Sequence, residues 1–510
     1  MLCIACCPLP LFGFIAENCA NNIVCFSRFS RFELRLTYQW TAKIKRRILI
    51  RIKMVRKTNN HPPRTVVNPL PTDPTDPPGM DCFADDREAL NDFAKYFNNA
   101  HLSDVTLLVG DEIYSAHRII LTKSSEVFDR MLSQKWNGDK KELELVEEPQ
   151  CQRVFAAFLR FLYCNHIVLH PDNTLPILVL ADKYNVHSLR KVCIDYAVNN
   201  ILPELSLREL FHVWYSYATK AFHQPLINAC IKVLAWHFEE MITSEEWEKE
   251  WLSVDRDQLT ELLKSNDLVL SSEYRLWEAV QKWLMAPSHP ERRGNTASPL
   301  LVSILPLIRF PFMTADELTM VERSPFVETH PKLFHPQILL AYKFQALPLS
   351  SRLNCKEFTG TQFILRNYTD VRWDRRIVVR GEDLRLEEGY NRAIDQAFSI
   401  QTRSSTFPLQ SWNWKVQLSS QMVANSHEEL RLYLVSEDID QPRSIEYLVS
   451  IVDEKKVLRS LAGRKNFTKT RYCADLEIEK KVDLNELYVE NSPLLVNGDL
   501  HLQITFRPID

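Results

Sequence analysis

HLSDVTLLVGDEIYSAHRIIL, residues 101–121, is the stretch on which the fold of the first half of the chain turns. Val105, Leu107 and Val109 share one face at period two, Gly110-Asp111 breaks the run, and Ile113 and Ala116 resume it, which predicts a β-hairpin. SSEVFDRML follows, with Ser124-Ser125 as the natural cap of a helix. Upstream, DREALNDFAKYFNN (86–99) spaces Leu90, Phe93, Ala94 and Phe97 by threes and fours, the mark of a helix with one apolar face. Downstream come a short strand ELELV (142–146), a helix carrying Val154, Phe155, Phe158, Leu159 and Leu162, the extended IVLH at 167–170, and two helices over about 174–200.

These residues, together with FLRFLYCNHIVL and ADKYNVHSLRKVC, resemble the BTB/POZ family over the whole of 85–200. The resemblance implies a homodimer built on the first helix (Leu90, Phe93, Phe97) and a strand edge, with Asp104 and His117 beside the interface. Read from the residues alone, Asp104 and His117 form instead a hydrogen-bonded pair that holds the hairpin to the next helix. Some members of the family bind the cullin-3 scaffold, aided by a hydrophobic-x-Glu motif after the FDRML helix. Here that loop is LSQKWNGDKKE (132–142), which makes Leu132, Trp136, Asn137 and Gly138 the candidate contact. Trp136 fills the hydrophobic position, but Gly138 stands where the Glu is expected. An exposed Trp136 would bury much apolar area for few frozen torsions; the other reading packs it onto its own domain.

From Ile201 the pattern turns helical, in LRELFHVWYSYATKAF, PLINACIKVLAWHFEEM and RLWEAVQKWLM, with Pro203, Pro225 and Pro287 at helix starts or stops. NILPELSLRELFHVWYSYA, LTELLKSNDLVLSSEYRLWEAVQKWL and LPLIRFPFMTADEL resemble the BACK domain, which implies a stiff helical spacer over 201–348. Trp214, Trp236, Trp277 and Trp283 read as its core, and Ser271-Ser272 as the cap of the helix that starts at Glu273.

After ALPLSSRLN the signal becomes short β-like runs: QFILRNY, RRIVVRG, AFSIQT, WNWKVQLSS, LRLYLVS, IEYLVSIVD and LHLQITF. Seven or eight such strands predict an antiparallel β-sandwich over 350–510. Trp412/Trp414 and Leu432/Leu434 share a face by period two and belong to the core before they are ligand contacts. SWNWKVQLSS, YLVSIVDE and DLHLQITF resemble the TRAF-like (MATH) sandwich, which implies capture of short extended peptides at a sheet edge. The fold class is therefore multidomain α+β: an α/β BTB domain, an all-α BACK domain and a β-sandwich.

Residues 1–80 carry 12 Lys/Arg against 4 Asp/Glu, which leaves 50 against 61 for the rest of the 510. The folded part thus offers no broad positive field for nucleic acid. The arm itself has three readings: a poor secretory signal at 2–16, a basic membrane-surface or import segment TAKIKRRILIRIKMVRK (41–57), or a disordered or non-native extension. The last is favoured by the alternative starts Met54 and Met80 and the Pro-rich linker 61–79. Cys3, Cys6 and Cys7 include a C-x-x-C with no second pair or His pair at zinc spacing, and Cys164, Cys193 and Cys230 lie singly on apolar stretches, as buried hydrophobes in a reducing compartment do. Neither phosphate-cradling nor nucleophile-elbow motifs occur, and the fourteen His residues form no ligand triad in sequence, so no catalytic residue, metal or cofactor is expected.

The expected activity is that of a cytoplasmic, non-enzymatic, dimeric adaptor that brings a protein substrate, held by residues 350–510, to a cullin-3 ubiquitin ligase. Two alternatives stand beside it. One is a secreted or Golgi-transiting scaffold like the galectin-binding proteins that share the BTB–BACK pairing, with sequons at Asn367 and Asn466. The other is a structural dimer without ubiquitin transfer.

Overall fold

A computed structural model describes residues 92–133, 141–384, 394–403, 411–423, 427–489 and 491–509. Alternation buries Val105, Leu107 and Val109 on β1 (Val105–Val109), which pairs antiparallel with β2 (Glu112–Ala116) across a turn where Gly110 takes a φ of +57°. β3 (Glu142–Leu145) adds in parallel to the other side of β1. Two helices follow the hairpin, α1 (Arg118–Ser124) and α2 (Glu126–Leu132). Ser125 caps α2 as expected, its hydroxyl accepting from the Phe128 N–H at 3.1 Å. RIILTKS forms the unexpected helix α1 because Asp104, fourteen residues upstream, accepts from the Arg118 N–H at 2.7 Å. α3 (Pro149–Cys164), α4 (Pro171–Lys183) and α5 (His187–Tyr196) close this part, while IVLH runs extended with no strand partner among the described residues.

Helices then continue to Arg352, sharing one apolar core with the first domain. The joint is polar: the Asp182 carboxylate at the end of α4 accepts from Arg190 Nε at 2.6 Å, from the Tyr217 hydroxyl, and from His223 Nε2 at 2.6 Å. Burial alone would raise the Asp182 carboxyl, yet these donors hold it below the usual carboxylate range. Trp214, Trp277 and Trp283 are buried, but Trp236 is 74% exposed. α6 (Gln224–Leu234) ends just before it, and in the tight turn Ala235–His237 the apolar period slips, so that Ala235 and Phe238 turn inward and Trp236 outward.

The chain's β-part is two antiparallel sheets. β6 (Asp374–Val379), β10 (Arg443–Val452), β11 (Val457–Phe467), β13 (Leu495–Val496) and β14 (Asp499–Pro508) form one, with β14 paired to β6, β10 and β13, and β11 outermost beyond β10. The other runs β12-β9-β8-β7, from β7 (Asp395–Arg403), β8 (Ser411–Val423), β9 (His427–Ser436) and β12 (Cys473–Asp475). Trp414 lies at the heart of the core between them, 5.3 Å from the Phe467 ring and 5.7 Å from Phe506, with Trp412, Leu432 and Leu434 also buried.

QFILRNY is not a sandwich strand. Phe363, Leu365 and Tyr368 pack into the helical core, and β5 (Asn367–Tyr368) pairs in parallel with β4 (Val269–Leu270), which lies between α7 (Arg256–Lys264) and α8 (Glu273–Leu284). Around this pairing sits a fully buried charge cluster. Glu273 accepts from Arg366 Nη1 at 2.5 Å, the Tyr368 hydroxyl at 2.6 Å and the Arg309 backbone N–H at 2.8 Å. Arg366 Nη2 also donates to the Leu263 and Leu307 carbonyls, and Arg309 Nη1 to Ile364 O at 2.7 Å. Burial would raise the Glu273 carboxyl, but Arg366 and Arg309 beside it hold it down; burial, with Arg366 next to it, lowers Arg309 to about 9.

The sandwich adds its own ties. Glu446 on β10 accepts from the Leu349 and Ser350 N–H groups at the start of the short helix Leu349–Arg352. Gln503 on β14 bonds the backbone of Phe363 and Leu365, and Arg376 on β6 reaches Asn266 O and Asp267 at 2.7 and 2.8 Å. Replacing Glu273 with Ala leaves two guanidinium groups buried without their counter-charge. The expected loss is about 3–5 kcal/mol of folding free energy, read by urea unfolding. A loss under about 1 kcal/mol would mean that the cluster contributes little.

Candidate functional site

His117 ends the first hairpin and is 7% exposed. Its Nε2 lies 2.9 Å from the His101 carbonyl, which can only accept, so Nε2 carries the proton and Nδ1 accepts from the Tyr163 hydroxyl at 2.9 Å. The same Tyr163 oxygen accepts from the His117 backbone N–H at 3.1 Å, and burial pushes the Tyr163 phenol up to about 12. Asp104 is exposed and next to this node through the ladder, but its carboxylate serves Arg118 N–H, not His117. The structure thus places both residues at one corner of the hairpin, each with its own intramolecular partner. Tyr163, which the sequence did not single out, is the residue that joins them to α3.

Phe97 is half-buried with its ring edge-on to Tyr163 at 6.2 Å, and Phe93 is 46% exposed. Of the proposed cullin contact, Leu132 corrects the expectation: it is 5% exposed and faces the core, because α2 delivers it to the same apolar cluster as Phe128. Its carbonyl accepts from Arg118 Nη1 at 3.1 Å. Leu90, Trp136, Asn137 and Gly138 lie outside the described residues.

In the sandwich, β10 is buried on both faces, whereas β8 and β9 alternate: Trp412, Trp414, Val416 and Leu418 inward, Asn413, Lys415, Gln417 and Ser419 outward. The helical part bonds the sheet that contains β10, and among the described residues the outward side chains of β8 are partly exposed. Trp412 and Trp414 belong to the interior, and Arg443 stacks at 5.0 Å from the Trp412 ring with hydrogen bonds to Ser436, Glu437 and Asp438.

The perturbed groups are structural. Burial drives Cys151 up to about 11 and Cys193 and Cys230 up to about 12, which keeps these thiols protonated and unreactive. Among the described residues no cluster of three His, Cys, Asp or Glu could hold a metal ion, and no helix is long and apolar enough to cross a membrane. The residues that sequence reasoning missed are Arg309 and Arg366. Their signal was there, a lone Arg inside each of the apolar runs LPLIRFPF and FILRNY, which requires a buried acceptor.

Comparison with known proteins agrees with this geometry. Residues 93–201 match the model of the BTB/POZ domain, and residues 211–322 that of the BACK domain, "BTB And C-terminal Kelch". BTB/POZ domain-containing protein 17 of Xenopus laevis is 24% identical over 443 residues, 81% of this chain and 88% of that protein. Galectin-3-binding protein of Mesocricetus auratus is 25% identical over 59% of this chain and 50% of its own length. Kelch-like protein 8 of Mus musculus is 26% identical over 42% and 32%. A β1–β2 hairpin locked to α3 by His117 and Tyr163, followed by helices that share its core, is thus the framework of a BTB/POZ domain and its BACK extension, and the chain carries both domains, over residues 93–201 and 211–322.

Proposed function

We propose that the chain is a non-enzymatic, dimeric adaptor that holds a protein substrate on its C-terminal sandwich and presents it to a cullin-3 ubiquitin ligase. The observation that carries this reading is the set of polar ties by which Glu446, Gln503 and Arg376 of the sandwich bond the helical part, as presentation at a set distance requires. A TRAF-like peptide reader is supported by two antiparallel sheets, the outward side chains of β8 in one of them being partly exposed. Dimerisation through the first helix is supported by the half-exposed Phe93, and a cytoplasmic setting by the free cysteines Cys151, Cys164, Cys193, Cys230, Cys355 and Cys473.

Similarity to galectin-3-binding protein favours one second reading, a scaffold of the secretory route. The two sequons separate there: Asn466 is exposed, whereas the Asn367 amide donates to Asp267 O at 3.0 Å inside the β4–β5 pairing. A secreted chain would carry one N-glycan, at Asn466, and an endoglycosidase shift abolished by N466Q would establish it. An unshifted protein recovered from cytosol favours the adaptor.

Cullin-3 is expected to co-purify with the full chain, and Trp136→Ala or a swap of residues 134–140 to reduce that recovery. Failure of the wild-type chain to retain cullin-3 sinks the ligase reading. Tyr163→Phe is expected to cost about 1–3 kcal/mol in urea unfolding, because it leaves His117 Nδ1 buried without a donor, while sedimentation shows the dimer intact. Loss of the dimer at unchanged stability would instead give the His117 node a direct part in assembly.

A further inference from the structure

Seven Lys or Arg and no Asp or Glu lie between Lys455 and Arg471, in a chain whose residues 81–510 carry more acids than bases. The segment is β11 with the turn on either side of it. Two of the seven are neutralised: Arg459 by Glu486, at 2.7 and 2.5 Å from its two terminal nitrogens, and Lys465 by Glu477 at 3.2 Å. Lys455, Lys456, Arg464, Lys469 and Arg471 are exposed and close no ion pair with a described carboxylate. Glu446 faces Arg464 across the ladder, but its two oxygens are committed to the Leu349 and Ser350 N–H groups.

β11 is also the outermost strand of its sheet, with no second strand partner among the described residues. Alternate residues of its eleven, over roughly 35 Å, therefore present donors and acceptors away from β10. Lysines on an edge repel basic strands and would lose hydration against neutral ones, which guards it against aggregation. The same charges attract an acidic strand. A row of alternating N–H and C=O groups finds its complement in another polypeptide backbone. A nucleic-acid strand would want successive stacking rings, and β11 exposes none; Tyr472 lies beyond its end.

We propose that the free edge of β11, with the turn 468–471, takes an acidic extended peptide as an added strand, Arg464, Lys469 and Arg471 pairing with its Asp or Glu side chains. This rests on the adaptor reading and supplies the substrate class of the sandwich.

The test uses the full chain and a fluorescein-labelled dodecapeptide of alternating Thr and Glu, against its Thr/Gln counterpart and an oligothymidine of equal charge. The Glu peptide is expected to bind about tenfold more tightly than the Gln peptide, the scale of three exposed ion pairs, and to weaken as salt is raised. Binding should slow amide exchange across 457–467. R464E/K469E/R471E, or R464Q/K469Q/R471Q should the reversal disturb folding, should remove the preference while cullin-3 recovery stays at the wild-type level. Equal affinity for the two peptides, no protection of 457–467, or tighter capture of the oligothymidine overturns the proposal. A chain that retains cullin-3 yet ignores the Glu peptide loses only this site; one that fails to retain cullin-3 loses the ligase reading itself.

Discussion

Glu273 is one carboxylate with no exposure to water, and it anchors inside the helical core the segment that leads from the helices into the sandwich. It begins α8, which Ser272 caps, and it receives a guanidinium from Arg366, a hydroxyl from Tyr368 and a backbone N–H from Arg309. Three segments far apart in sequence thereby meet at two oxygens. A buried ion is costly unless every lone pair is engaged, so the arrangement tolerates little displacement of any member. Its value is in fixing geometry, since an apolar cluster of the same volume would hold the parts together with less directional control.

A second polar joint acts in the same way higher up. Asp182 of the BTB domain gathers Tyr217 and His223 from the BACK helices, so a carboxylate with several donors closes that seam. Apolar packing continues through the first seam, where the BTB and BACK residues share one core. At the second seam the sandwich keeps a core of its own, and polar ties from Glu446, Gln503 and Arg376 do the fastening.

Much of this was legible in the sequence. Short β-like runs found β1, β2, β3, β6, β7, β8, β9, β10 and β14, and Ser125 and Ser272 marked helix starts, because these signals act over a few residues. What escaped depends on partners far along the chain. α1 is capped by Asp104 at a separation of fourteen residues, and QFILRNY leaves the sandwich because β4 offers it a ladder about a hundred residues away. β11 escaped for another reason: VLRSLAGRKNF has charged residues on both faces, with inward Arg459 and Lys465 balanced by Glu486 and Glu477. Trp236 was misplaced by one slipped turn. Of the site, the sequence offered Asp104 and His117 as a hydrogen-bonded pair, whereas each has another partner, and Tyr163 as that of His117 needed the three-dimensional fold.

The central claim is that the BACK helices and the sandwich form one cooperative body. Native-state hydrogen exchange in rising urea tests it directly, by comparing amides of α8 with amides of β14. The account predicts that the two sets converge on one opening free energy with one urea dependence. Exchange of β14 through a separate, lower-energy opening that leaves α8 protected would contradict it.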